Sequence, residues 1–137
     1  MIKKQIASIL TLSFLLCLNT VNAQEENDRL SDCLSTAGNT QSMRECIFEE
    51  VSVYDKKLNK YYKLILQEAK KENPEMANTF KQSQIAWLKF TEHNKNFYLS
   101  NSGTIYLVEA DLNYLGYLQT RVKEFEAILN MYGIKVE

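Results

Sequence analysis

Residues 46–71, CIFEEVSVYDKKLNKYYKLILQEAKK, decide the fold. Their apolar residues recur at steps of three and four over about six turns, which is the spacing of one buried face of an α-helix. Lysine and glutamate fill most positions between them and suit a solvated opposite face. The pattern therefore predicts one long amphipathic helix. Its expected inner stripe is Ile47, Val51, Tyr54, Leu58, Tyr61 or Tyr62, Ile65 and Ala69.

Capping and chain-breaking residues predict the ends of this helix. Thr40 or Ser42, ahead of the first apolar position, is expected to cap its N-terminus with a side-chain oxygen. Pro74 ends the helix, because proline disfavours helical conformation at the residue before it. The same proline can open the next helix, so a second helix is expected to follow directly.

Two more long helices are predicted after Pro74. One runs from about Glu75 to Tyr98, and the other runs from about Thr104 to Met131, before Gly133. The expected inner face of the first is Met76, Phe80, Gln84 or Ile85, Trp87, Leu88 and Phe90. The expected inner face of the second is Leu107 or Val108, Leu112, Leu115, Leu118, Val122, Phe125, and Ile128 or Leu129.

The first 23 residues are predicted to be a cleavable secretory signal peptide. Lys3 and Lys4 precede an apolar run at residues 6–18, and VNA at 21–23 offers the short residues that a signal peptidase recognises. A membrane-spanning helix needs roughly 20 apolar residues, so an uncleaved anchor is the less favoured alternative. We expect the domain at residues 24–137 to be periplasmic or secreted, without stable membrane insertion after cleavage.

Cys33 and Cys46 are the two cysteines outside this segment, and in an exported chain such a pair predicts a disulfide. Cys17 belongs to the signal; as a lipid attachment site it would need a small residue before it, where the chain has Leu16. Removal of the signal leaves 14 basic and 17 acidic residues, a formal charge of −3. This mild acidity disfavours a nucleic-acid partner and suits a cationic protein.

These patterns together predict an all-α fold. No stretch alternates apolar and polar residues for long, and one proline and four glycines suit few, long elements. Three long helices with short connections favour an antiparallel bundle. Residues 30–34 are expected to add a helical turn ahead of it. The predicted class is an antiparallel bundle of three long helices with a short disulfide-linked N-terminal helical segment.

The sequence contains no pattern typical of catalysis, metal binding or cofactor binding. His93 is the single histidine, and its neighbour Glu92 does not face it, because adjacent residues of a helix point in different directions. A hydrolase that uses this pair is a minor alternative. We therefore expect no enzyme, no metal and no cofactor. Solvated faces are expected for the carboxylates of Glu45, Glu49, Glu50, Glu109 and Asp111.

The eight tyrosines are expected to lie mostly in the core, because most fall at helical spacing. A core of three helices cannot hide all of them, so some rings are expected to be partly exposed and available to a protein partner. They are Tyr54, Tyr61, Tyr62, Tyr98, Tyr106, Tyr114, Tyr117 and Tyr132.

Three motifs follow one another along the chain. The cysteine pair precedes D-x-x-L-N-x-x-Y at residues 55–62, and Q-x-x-W-x-x-[FY] stands at residues 84–90. The motif positions are Asp55, Leu58, Asn59, Tyr62, Gln84, Trp87, Phe90 and, further along, Arg121. This arrangement resembles the LprI-like (DUF1311) family and covers nearly all of the chain after the signal. The resemblance implies a secreted or periplasmic helical protein, and the family takes its name from a lipoprotein that inhibits lysozyme.

The chain departs from the family pattern after Phe90. Relatives commonly have Arg-Asp there, followed by a second cysteine pair. Here Thr91 and Glu92 take the place of Arg-Asp, and Lys95 stands about where a cysteine is expected. The second disulfide is therefore expected to be missing, and any inhibitory surface that depends on it would be missing too.

The motif residues are predicted to be structural. Asp55, Asn59 and Gln84 are expected to form a buried polar network that holds the first two long helices in register beside Trp87. Direct contact of these residues with a ligand is the alternative.

The favoured function is a non-catalytic protein-binding domain. Its candidate partner is a lysozyme-type muramidase, which it would inhibit by occlusion. The alternative is an envelope accessory or immunity protein of a secretion or surface system.

Overall fold

The computed structural model describes residues 29–136. The predicted signal peptide at residues 1–23 and the first residues of the predicted domain lie outside this range. Within it the chain forms four helices and no strand, which confirms the all-α prediction. The helices are α1 (residues 29–36), α2 (Thr40–Glu72), α3 (Pro74–Leu99) and α4 (Ile105–Met131). None of them is long and apolar enough to cross a membrane.

The chain divides into two compact units. The first ends at Ala37 and includes α1, and the second begins at Gly38 and contains α2, α3 and α4. The predicted short N-terminal helical segment is therefore confirmed in α1. The predicted disulfide between Cys33 and Cys46 is also confirmed.

Asn39 caps the N-terminus of α2. Its side chain accepts a hydrogen bond from the backbone N–H of Ser42 at 3.0 Å, and the Ser42 hydroxyl accepts one from the backbone N–H of Asn39 at 3.2 Å. The predicted cap at Thr40 or Ser42 was therefore wrong. Thr40 already lies in the helix, whereas Asn39 has the extended backbone that a capping residue needs.

Asn73 ends α2 and begins α3. Its backbone N–H donates to the Ala69 carbonyl oxygen at 3.1 Å, and its side chain accepts from the backbone N–H of Met76 at 2.7 Å. Pro74 follows as the first residue of α3, where the N–H that proline lacks has no helical partner to lose. The turn predicted from Pro74 is thus confirmed, with asparagine supplying the cap on both sides.

The core lies between α2 and α4, which pack against each other more extensively than either packs against α3. The two helices run parallel, with the hydroxyls of Thr40 and Thr104 3.3 Å apart at their N-terminal ends. Loops that reverse the chain at each end make α3 antiparallel to both. The buried cluster consists of Leu58, Tyr61, Ile65, Leu118, Val122, Phe125 and Leu129, all within the predicted stripes.

The inner face of α3 differs from the prediction. Its buried residues are Ala77, Gln84 and Thr91, seven positions apart and therefore on nearly the same line along the helix. Three residues of the predicted stripe are instead about half exposed: Met76 at 44%, Leu88 at 48% and Phe90 at 49%. Phe80 and Trp87 are half-buried against the core, as predicted. The α2–α4 pair already fills most of the core, so only a narrow strip of α3 is covered.

Candidate functional site

Arg121 of α4 brings together motif residues of α3. Its Nε donates to the Gln84 side-chain oxygen at 3.1 Å. Its guanidinium carbon lies 5.8 Å from the centre of the Trp87 ring and 4.8 Å from the centre of the Phe125 ring, in the range of cation–π contacts. The contact joins α3 to α4 and supports a structural role for these motif positions.

Three other motif residues also pack within the bundle. Leu58 lies in the buried core. The Tyr62 ring of α2 stacks on the Phe80 ring of α3, with centroids 5.5 Å apart. Phe90 meets Tyr117 of α4 edge to face at 5.1 Å, and the outer side of its ring stays exposed.

The predicted polar network of Asp55, Asn59 and Gln84 does not form. Asp55 and Asn59 are exposed, and the Asn59 amide donates to the Asp55 backbone oxygen at 2.8 Å and to its carboxylate at 3.1 Å. Gln84 is buried and binds α4 through Arg121, not α2. The prediction failed because α3 turns Gln84 towards α4, whereas one turn of α2 places Asp55 and Asn59 beside each other on its surface.

Asp55 also acts electrostatically on α4. Burial, and then the negative charge of Asp55, raise the pKa of the Tyr114 hydroxyl above its ordinary value. Burial, and then the negative charge of Glu126, likewise raise the pKa of Tyr61. Both tyrosines stay neutral over the physiological range and contribute no charge to a binding surface.

Asp111 is the centre of two ion pairs that the sequence did not predict. Its side chain is 2% exposed, although a solvated position was predicted for it and for Glu50, which is 3% exposed. The Arg44 guanidinium of α2 contacts one carboxylate oxygen at 2.6 Å, and the Lys95 ammonium of α3 contacts the other at 3.4 Å. One buried carboxylate on α4 therefore ties all three long helices together.

Lys95 also lies at a position where the chain departs from the family pattern. It stands about where the family pattern has a cysteine, and here it links α3 to α4 through an ion pair with Asp111. The chain thus keeps a connection between these two helices without a second disulfide. An ion pair of this kind contributes to stability only while both charges stay paired.

Helix α3 carries most of the exposed large hydrophobic side chains in the described part of the chain. In the described part of the chain nine large hydrophobic side chains are exposed, and six of them belong to α3. Five lie between residues 85 and 99, and Phe97 is 68% exposed. By helical spacing Ile85, Leu88 and Leu99 lie on one flank of the helix, and Phe90 and Phe97 lie on the opposite flank.

The histidine, the acidic residues and the surface clefts give less evidence of a functional site. His93 and Glu92 are exposed on α3. Within residues 29–136 no group of three or more histidine, cysteine, aspartate or glutamate side chains could hold a metal ion. Two open clefts of about 450 and 410 Å³ flank the start of α3, one containing Phe80 and Ser83 and the other Lys70 and Lys81.

Comparisons with known proteins agree with the motif assignment. No curated protein and no solved structure gives a significant match to this chain. The family described as lysozyme inhibitor LprI matches residues 31–125, a range that covers α1, α2, α3 and most of α4. Because this match spans well over half of the chain, the protein belongs to the lysozyme inhibitor LprI family.

Proposed function

We propose that this protein is exported and binds a lysozyme-type muramidase outside the cytoplasm, inhibiting it by covering its cleft. The observation that carries the proposal is the family match over residues 31–125, because the family is described as a lysozyme inhibitor. The inhibitor performs no chemistry of its own. It acts as a rigid helical surface that occupies the enzyme.

The packing, the exposed aromatic residues and the charge of the molecule support a binding role. The three helices are locked by a buried core and by the Asp111 ion pairs, so little ordering is needed when a partner binds. Aromatic side chains such as Phe90, Tyr117 and Phe97 stay partly exposed, and aromatic residues are enriched in protein interfaces. The formal charge of −3 predicted for the secreted form suits the basic surface of many muramidases.

A cell-wall lysis assay tests the proposal. Purified protein that begins at Gln24 is added in micromolar excess to c-type, g-type and i-type lysozymes, and the clearing of a cell-wall suspension is followed. We expect a dose-dependent loss of lysis with at least one class. As a control, the same protein denatured and kept unfolded should not inhibit lysis.

Binding must accompany inhibition if the mechanism is occlusion. When the inhibited lysozyme is titrated into the protein, the heat measured by calorimetry should saturate at a defined molar ratio. Absence of both inhibition and binding for every class would refute the proposal. A pull-down from the envelope fraction that captured a secretion or surface component instead would favour an accessory or immunity role.

A further inference from the structure

The outward side of α2 changes from acidic to basic near the middle of the helix. Glu45 and Glu49 are exposed on this side in the first half of the helix. From residue 56 onward, the exposed residues opposite the buried ones are either basic or uncharged and polar. By helical spacing they are Lys56, Asn59, Lys60, Lys63, Gln67 and Lys70. We call the four lysines of this set the lysine row.

No carboxylate neutralises the lysine row. The acidic residues closest to it in sequence are Asp55, Glu68 and Glu72, and helical spacing directs all three to other sides of α2. Glu68 already pairs with Lys71, whose ammonium lies 2.6 Å from its carboxylate. Among the described residues no ion pair includes a lysine of the row. The row is therefore an exposed strip of uncompensated positive charge, although the secreted form is expected to be acidic as a whole.

The spacing of these lysines disfavours the isolated helix. Lys56 and Lys60 are four residues apart, and Lys60 and Lys63 are three apart, so their charges are neighbours on the helix surface. Like charges at these spacings destabilise a helix, and a negative partner would remove the repulsion. The arrangement favours a surface that binds anions.

The lysine row leads to a cleft between α2 and α3. Lys70 at the end of the row lines the open cleft of about 410 Å³, and so do Lys81 and the amide of Asn78 from α3. From Lys56 to Lys70 the row extends for about 21 Å, at 1.5 Å for each residue. A chain-like anion that followed the row would therefore reach the cleft and a fifth lysine.

We propose that the lysine row and this cleft bind a linear polyanion whose charges are phosphate groups. Lysine binds phosphate as a compact point charge with three N–H donors, whereas the planar carboxylate is typically held by the two-pronged contact of arginine. All five basic side chains of the surface are lysines. The inference goes beyond the proposed function, because it concerns a second partner and a surface that needs no muramidase.

Two other kinds of anionic partner match the surface less well. A bilayer is flat and cannot enter the cleft, and the lysine row contains no apolar side chain that could insert among lipids. Single-stranded nucleic acids are held largely by stacking of their bases on aromatic rings. No aromatic residue belongs to the row, and the Tyr62 ring at the cleft is already stacked on Phe80.

The test measures binding of long-chain inorganic polyphosphate to protein that begins at Gln24, by calorimetry at several salt concentrations. We expect the Kd to rise steeply with salt, because each neutralised phosphate releases a bound counterion. Lys60→Gln combined with Lys63→Gln should weaken the Kd at least about fivefold. The same change should reduce the slope of log Kd against log salt concentration by about 1 to 2, since two contacts are lost.

A matched control removes the same charge elsewhere. Lys89→Gln combined with Lys123→Gln changes two exposed lysines of α3 and α4, and the Kd should stay within about twofold of the wild-type value. Equal weakening by both double variants would show that only the net charge matters, and the assignment would be overturned. Lys70→Gln combined with Lys81→Gln tests the cleft and should also reduce the salt slope. An unchanged slope there would remove the cleft from the site.

The melting temperature distinguishes binding from a structural role of the lysines. Replacing Lys60 and Lys63 by glutamine relieves repulsion and retains good helix formers, so the melting temperature should not fall. A clear decrease would mean that the lysines stabilise α2, which would contradict the inference.

The remaining outcomes are equally decisive. If the wild-type protein does not bind polyphosphate at low salt, the inference is overturned. If it binds vesicles that contain phosphatidylglycerol but not polyphosphate, the lysine row is a membrane contact, and the inference is again overturned. None of these samples contains a lysozyme, so this inference and the proposed function can fail independently.

Discussion

Asp111 shows how much a single residue can contribute to the bundle. Its carboxylate is buried and pairs with basic groups from α2 and α3. Removing this carboxylate should cost more than an exposed pair contributes, because it makes charge-assisted contacts to two basic groups that are only 24% and 38% exposed. The chain contains both kinds of pair, which allows a direct comparison.

We predict that Asp111→Ala lowers the free energy of unfolding by about 2 kcal/mol, since Arg44 and Lys95 both lose a charge-assisted contact. The control is Glu124→Ala, which removes the ion pair that a half-exposed carboxylate makes with Arg121 at 2.7 Å. That loss should stay below about 1 kcal/mol. Urea unfolding measures both, and equal effects would contradict the buried role of Asp111.

Tyr61 makes the stability of the fold depend on pH in the alkaline range. The residue is completely buried, and this burial, followed by the charge of Glu126, raises its pKa. In the unfolded chain a tyrosine ionises near its ordinary value of about 10, while Tyr61 in the folded chain stays neutral. Unfolding therefore becomes more favourable as the pH rises above that value.

We predict that the wild-type free energy of unfolding falls between pH 9 and pH 11, and that Tyr61→Phe falls less over the same range. The comparison uses the pH dependence of each protein and not its absolute stability, because the substitution also removes a buried hydroxyl. Urea unfolding at several pH values provides the measurement. If the free energy of unfolding fell equally with pH in both proteins, Tyr61 would not be the cause of the pH dependence.

At the scale of the elements, Asn73 terminates one helix and begins another. Its backbone closes α2 and its side chain caps α3, so the turn between the two helices depends on a single residue. A serine there could still accept the hydrogen bond from Met76, whereas an alanine could not.

We therefore predict that Asn73→Ala lowers the free energy of unfolding by about 1 kcal/mol, while Asn73→Ser retains most of the wild-type stability. Thermal and urea unfolding of the two variants give the values. Equal losses for both would mean that the side-chain cap contributes little and that the turn depends on Pro74 alone.

The helix α3 differs from its neighbours in what it buries. Helices α2 and α4 place large apolar side chains in the core, whereas α3 buries a small residue and two polar ones. Phe80 and Trp87 flank this strip and pack against the core, whereas Leu88, Phe90 and Phe97 are exposed. The same feature explains why part of the predicted inner face, at Met76, Leu88 and Phe90, is about half exposed.

At the scale of the whole molecule, the disulfide and the core stabilise the fold by different means. The Cys33–Cys46 bond closes a short loop and reduces the entropy of the unfolded chain, worth about 3 kcal/mol for a loop of this size. The buried cluster of α2 and α4 includes neither cysteine, so we expect the helices to pack without the bond.

We predict that Cys33→Ala combined with Cys46→Ala lowers the melting temperature but leaves the helical circular dichroism at 25 °C nearly unchanged. Reduction of the wild-type protein should produce a similar decrease in melting temperature. Loss of most of the helical signal at 25 °C in either sample would show that the core alone cannot hold the helices together.

Much of the secondary structure of this protein could be predicted from its sequence, because the signals that determine it are local. The periodic stripe of residues 46–71, Pro74 between two helices and Gly133 after the last one predicted three long helices at nearly their observed positions. The spacing of Cys33 and Cys46 predicted the disulfide, and the motif residues predicted the family. Each of these signals is contained within one element or its immediate neighbours.

The tertiary structure alone decided which residues meet across elements. Arg44 and Asp111 are 67 positions apart, and nothing in their local sequence distinguishes them from solvated charges. Gln84 pairs with Arg121 and not with α2, because the rotation of α3 about its axis depends on how it fits against the larger residues of α2 and α4. That rotation buries Ala77 and Thr91 and leaves Leu88 and Phe97 exposed, so the residues that α3 buries could be known only from the assembled bundle.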